Sequence, residues 1–277
     1  MIPHEPRLRA DVISVRRRRS SSTSAVTCWA SLIVLAGGLA ACGRVPGQFE
    51  ILQNQAPQGG CAITTDRMTY RGEGTIDLSL VSPGAESAYF MFPLVINNLP
   101  GSTGGEPDGN EIDVHSFAVD IGTTRQSYLP ANVQTLFNDL NRDPGTHDYA
   151  LLHYSLPWAV TISSGGGLAA TFVSAFPVEL AQRVLATGDI GVSASSMTVN
   201  ARVRVFGTTN TQDMESDPFD FPISVCNGCL VHSLLPCPVT SAPTFGGNAC
   251  NLSQDSLVDC CSLNGALVCP PIVSSTQ

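Results

Sequence analysis

Lysine is missing from all 277 residues, so every one of the 14 basic side chains is arginine. That pattern fits the coding bias of a GC-rich genome better than any mechanism. Aromatic residues are scarce, at 6% of the chain, and no basic or aromatic patch occurs beyond the first 20 residues. A nucleic-acid surface, which needs clustered cations and stacking platforms, is therefore excluded. No Gly-x-Ser-x-Gly elbow, phosphate-binding glycine loop or His-Glu-x-x-His pair is present, which removes the enzyme classes with short local signatures. Also lacking is an uninterrupted apolar stretch of the ~20 residues that a membrane-spanning helix requires.

What is present begins at the start of the chain. Arg7, Arg9 and the block Arg16, Arg17, Arg18 and Arg19 make a positive leader, and Ala25 to Ala41 then runs without a charge. A short apolar core behind a basic start has the form of an export signal. The arginine block also admits a basic patch or a twin-arginine signal, but its place directly ahead of the apolar core fits an orienting role better. The core closes on Leu39, Ala40, Ala41 and Cys42, which resembles a bacterial lipobox: a branched apolar residue and two small ones ahead of a cysteine to be acylated. The resemblance implies a type II signal peptide over 1–41, cleavage before Cys42 and a lipid anchor on that residue. Gly43, where enteric sorting would use Asp to retain a lipoprotein at the inner membrane, resembles an outer-membrane address. Residues 42–60, polar and rich in Gly and Pro, are expected to be the lipidated tether.

Removing the leader takes 6 of 14 basic and 2 of 23 acidic residues, leaving 8 against 21. So acidic a surface repels nucleic acid and anionic headgroups, and attachment to the membrane is expected through acyl chains on Cys42.

From Cys61 the hydrophobic period becomes two. Ile76, Leu78 and Leu80 alternate with polar neighbours, as do Met197 to Val205 and Phe219 to Val225, and the last two are expected to form an antiparallel pair across the Gly207–Asp217 loop. Pro222 should sit at an edge or turn its nitrogen outward. Leu152 to Ile162 and Leu168 to Phe176 extend the pattern. The alternation slips once between Ile112/Val114 and Phe117/Val119/Ile121, as a bulge would make it do. Tyr89 to Ile96 is a continuous apolar run that would suit a strand covered on both faces, with Pro93 arguing against a fully paired central position. Two short helices are expected, Ala131 to Leu140 and Pro177 to Thr187. Many short strands with turns between them imply a mainly β protein. We expect an antiparallel two-sheet sandwich over 61–226, immunoglobulin-like in outline, with a cysteine-rich tail over 227–277 packed on it.

Of ten cysteines, Cys28 leaves with the leader and Cys42 is consumed by acylation. Cys61, Cys226, Cys229, Cys237, Cys250, Cys260, Cys261 and Cys269 remain, and an even number in an exported chain implies four disulfides. Cys61 needs a distant partner, for which Cys226 or Cys229 is the expectation. Cys226, Asn227, Gly228 and Cys229 also form a CxxC. A redox pair would want a helix starting after the first cysteine, and a zinc ribbon a second well-spaced pair; neither is evident here.

Asp139, Asn141 and Asp143 imitate the start of a calcium loop, but Pro144 and Ala150 occupy positions where the loop needs Gly and Glu, so a turn is expected and no metal. Asp213, Glu215, Asp217 and Asp220 form a second acidic cluster, read as a solvated face. The histidines His115, His147, His153 and His232 have no catalytic spacing. No catalytic residue and no cofactor is expected.

The block from Val203 to Leu230, with Phe219, Phe221, Pro222 and Ile223 leading into Cys226, Gly228 and Cys229, resembles a segment of uncharacterised envelope lipoproteins of myxobacteria. The resemblance covers about a fifth of the chain and implies architecture only. Together these readings point to a non-enzymatic, lipid-anchored envelope module that binds an envelope protein or glycan or serves as structure. The rivals are an envelope hydrolase built from His147, Asp148 or the acidic loop, and a calcium-dependent adhesion module.

Overall fold

The structure, a computed structural model, describes residues 47–101, 109–123, 129–191, 196–210, 212–240, 242–271 and 273. Cys42, the expected anchor, lies outside them. The strands run in chain order as β1 (Phe49–Asn54), β2 (Gly74–Asp77), β3 (Tyr89–Met91), β4 (Pro93–Asn97), β5 (Ile112–Gly122), β6 (His153–Ile162), β7 (Gly167–Ala170), β8 (Val173–Phe176), β9 (Met197–Thr208), β10 (Asp213–Glu215), β11 (Phe219–Cys226), β12 (Val231–Pro236), β13 (Val258–Leu263) and β14 (Ala266–Val268). Three helices, α1 (Ala131–Leu140), α2 (His147–Ala150) and α3 (Val178–Ala186), lie between them. The protein is mainly β, and no helix among the described residues is long and apolar enough to cross a membrane.

The largest sheet has the order β2-β11-β9-β5-β6, with β10 added to β9. Strict alternation builds it. On β9, Val199, Ala201, Val203 and Val205 are buried while Arg202 and Arg204 face out, and Phe117, Val119 and Ile121 of β5 and Phe221, Ile223 and Val225 of β11 join the same inner face. The expected antiparallel β9–β11 pair is present, and the slip of alternation in β5 is a register shift between Val114 and Ser116. One strand departs from the expected antiparallel scheme: β2 pairs with β11 in parallel, from Ile223↔Gly74 to Cys226↔Asp77. Pro222 precedes that pairing, so its missing amide lies beyond the reach of β2.

An antiparallel sheet β1-β4-β7 and the pair β3-β8 share the core of the large sheet. Two expectations are corrected here. The stretch expected as tether contributes β1, because Phe49 and Ile51 alternate into the core at 4% and 6% exposure. The apolar run Tyr89 to Ile96 is not one strand: it divides at Phe92 between two sheets, and β4 is central between β1 and β7. Pro93 is tolerated because it is the first residue of β4. α1 buries Val133, Phe137 and Leu140, and α3, opened by Pro177, buries Val178, Leu180, Ala181 and Val184.

The tail forms a small sheet β12-β13-β14, in which β12 and β13 are parallel. All eight expected cysteines are paired, as Cys61–Cys250, Cys226–Cys229, Cys237–Cys261 and Cys260–Cys269. The expected link from Cys61 to Cys226 or Cys229 is therefore corrected. The Asn-Gly turn brings Cys226 and Cys229 within 6.0 Å at Cα, close enough to bridge each other. Cys61 instead meets the tail at Cys250.

Candidate functional site

Two aspartates, Asp77 and Asp255, pin the tail to the sheets, and a third, Asp259, braces the tail internally. Asp77, the last residue of β2, is fully buried; its Oδ1 accepts from Gly228 N at 2.7 Å and its Oδ2 from Leu230 N at 2.7 Å, which fixes the turn between Cys226 and Cys229. Asp259 of β13 receives the amides of Thr244 and Phe245 and pairs with His232 Nδ1 at 2.9 Å. Asp255 accepts from Thr75 N at 2.9 Å and from the Tyr89 hydroxyl at 3.1 Å, with Arg71 Nε 3.5 Å away. Around it, Gln254 Oε1 accepts from Phe90 N, Ser253 Oγ donates to Ala88 O, and Asn251 Nδ2 donates to Ser87 O and Ala88 O. The segment from Asn251 to Asp255 thus works as a strand substitute, supplying side-chain bonds to backbone groups of β2 and β3 that would otherwise be unpaired.

Burial shifts this cluster. Asp255 is raised above the ordinary carboxylate value because desolvation outweighs the Thr75 amide and the Arg71 charge. The Tyr89 hydroxyl is raised well above its usual value, first by burial and then by the Asp255 charge beside it. Beside the cluster a groove of about 630 Å³ is lined by Ala56, Tyr70, Arg71, Gly72, Glu73 and Pro222.

The solvent face of the large sheet carries a row of ionic groups across four strands. Register places His153, Asp120, Arg202 and Asp220 side by side on β6, β5, β9 and β11. His153 Nδ1 meets Asp120 Oδ1 at 2.8 Å, Arg202 Nε meets Asp220 Oδ1 at 2.8 Å, and Arg204 bridges Asp120 and Glu215. Arg202 holds Asp220 below the ordinary carboxylate range. The row is a cross-strand ladder of the kind that fixes sheet register, with Arg204 over the ring of Phe206 at 5.7 Å.

The sequence-derived site residues fall at separate places. Asp139 pairs with Arg142, Asn141 Oδ1 lies 2.7 Å from His153 Nε2, and Asp143 accepts from Thr146 in the turn after α1. Both ring nitrogens of His153 thus have partners within the protein. His147 pairs with Glu179 at 3.0 Å and Asp148 with Arg183 at 2.7 Å, both on the outside of the molecule. Glu215 and Asp220 of the acidic cluster face arginines on β9. Among the described residues one trio, Asp77, Cys226 and Cys229, places three potential metal ligands within 4.8 Å of one another, and its cysteines form a disulfide. Sequence reasoning missed Asp77 and Asp255 as organising residues. Asp255, with φ at 64°, is one of three non-glycine residues in the left-handed region among the described residues, the others being Cys61 and Asn264.

Comparison with family models, curated proteins and solved structures finds no match for the chain.

Proposed function

We propose that the chain is a lipid-anchored module of the bacterial outer envelope, held by acyl chains on Cys42, which acts by binding or structural contact with an envelope protein or glycan. What carries the reading is that all eight cysteines beyond the anchor are paired, three of the bridges tying the tail to itself or to Cys61, as suits an oxidising compartment. The lipobox and the acidic balance of the chain supply the address. An immunoglobulin-like sandwich is part of the same proposal, supported by the single core shared between the large sheet and the strands of β1-β4-β7 and β3-β8.

The binding surface we assign is the ladder face of the large sheet, where Arg202, Arg204 and Phe206 stand among polar neighbours. Labelled palmitate should enter the wild-type protein and not Cys42→Ser, which should leave the membrane fraction. A wild-type chain without label would end the lipoprotein reading. Capture from detergent-solubilised envelope should recover a component that the double substitution Arg202→Glu, Arg204→Glu does not, and equal recovery by both would remove the ladder face from the proposal.

A further inference from the structure

We propose that Cys226–Cys229 is a redox-active disulfide that exchanges with dithiols of exported proteins, with Cys229 as the sulfur attacked and Asp77 as its positioning residue. The proposal goes beyond the binding function and stands apart from the identity of any bound partner.

The first observation is what each bridge joins. Cys61–Cys250 spans a sequence separation of 189, Cys237–Cys261 of 24 and Cys260–Cys269 of 9, whereas Cys226–Cys229 spans 3. A cross-link stabilises by restricting the unfolded chain, and the effect grows with the loop it closes. The CxxC bridge therefore does the least as a staple, and its turn is already held by other bonds.

Access is the second observation. Cys229 is exposed, and it alone of the eight half-cystines is so; Cys226 behind it is buried. Exchange requires a thiolate to reach one sulfur of the bridge, and this bridge carries the most exposed half-cystine of the four.

The third is Asp77. Its carboxylate lies within 4.8 Å of both sulfurs, and it receives Gly228 N, Leu230 N, Ser79 N and Ser79 Oγ. The bonds from Gly228 and Leu230 keep the turn in place, so opening the bridge does not release the loop. Three of the four bonds fall on Oδ1, which saturates that oxygen and leaves Asp77 badly placed as a ligand. That favours exchange over a metal at the same trio.

The step balances as follows. A thiolate of the partner dithiol attacks Cys229 Sγ; the Cys226–Cys229 bond breaks and Cys226 Sγ departs with the electron pair and takes up a proton. The partner's second thiolate then attacks its own sulfur in the mixed disulfide and expels Cys229, which is protonated in turn. Two electrons and two protons pass from the dithiol, now a disulfide, to the cysteine pair. Cys226 departs beside the Asp77 carboxylate, and like charge in a dry site disfavours that leaving group. Asp77 therefore slows opening.

The full-length protein, treated with graded dithiothreitol, quenched by alkylation and mapped by peptide mass spectrometry, tests this. Cys226 and Cys229 should be labelled before any other cysteine, with the near-UV circular dichroism unchanged, and oxidised glutathione should restore the bridge. Asp77→Asn should open about tenfold faster, since one like charge is removed from the leaving thiolate. Should that variant not fold, Cys226→Ser supplies the second arm: its exposed Cys229 should trap glutathione as a mixed disulfide. Opening of Cys226–Cys229 no earlier than Cys61–Cys250, loss of the near-UV signal when it opens, or a reduced pair that holds one zinc per chain and resists reoxidation would overturn the proposal.

Discussion

At Gly74 the close approach of two elements leaves no space for a side chain. A Cβ there would run into the hydroxyl and ring of Tyr89, which is itself fully buried and bonded to Asp255. Gly74→Ala should therefore cost about 1–3 kcal/mol by overpacking, read from urea unfolding. Asp255 makes a prediction with a sign. Its folded-state value lies above the ordinary 3.8, so the folded protein holds that proton more tightly than the unfolded chain, and its contribution to stability falls as pH rises through the interval above 3.8. Asn tolerates the left-handed backbone at 255 and keeps an oxygen for the Thr75 amide. Asp255→Asn should flatten that decline in melts taken across the interval, and an unchanged slope would assign it elsewhere. Asp220 has the opposite sign: its lowered value adds stability above 3.8 that is lost as pH falls through the folded value. That pair is about half exposed, so the effect is small.

Elements whose information is local were legible in the sequence. The bulge in β5, the β9–β11 pair and the two longer helices follow from period and punctuation carried by their own residues. What escaped depends on partners far along the chain. β1 has only Phe49 and Ile51 to mark it, β2 pairs with a strand about 150 residues later, and the segment from Asn251 to Asp255 reads as loop composition until β3 is laid beside it. The ladder has the same character: Asp120, His153, Arg202 and Asp220 give no signal until register aligns them. α1 shows a long-range contact completing a local element. Pro130 offers no side-chain cap, and Asp189, just beyond α3, accepts from the amides of Asn132 at 2.8 Å and Val133 at 3.3 Å. A carboxylate there satisfies unpaired donors and faces the positive end of the helix. Asp189→Ala should cost about 1–2 kcal/mol, with amide exchange accelerated first in the opening turn of α1.

For the molecule as a whole, the deciding question is whether the tail is a separate appendage or part of the main fold. Cys61–Cys250 closes the longest loop of the chain, and losing a native disulfide of this kind costs about 2–5 kcal/mol. The polar contacts weigh more. A chain ending at residue 240 would strip Thr75 N, the Tyr89 hydroxyl, Phe90 N, Phe90 O and Ala88 O of the partners they now have in Ser253, Gln254 and Asp255. At about 1–3 kcal/mol for each buried group left unpaired, and less at the half-buried Thr75 and Phe90, the loss is a large share of the 5–15 kcal/mol by which a whole domain is stable. Water reaching the newly opened edge would recover part of that loss, but Tyr89 and Ala88 are fully buried and stand against the core. The truncated chain should therefore fail to give a cooperative melt, even with Cys61 and Cys237, whose partners Cys250 and Cys261 are removed, both replaced by Ala. If it melts as the full protein does, the tail is a domain of its own and the aspartates that tie it down are surface decoration.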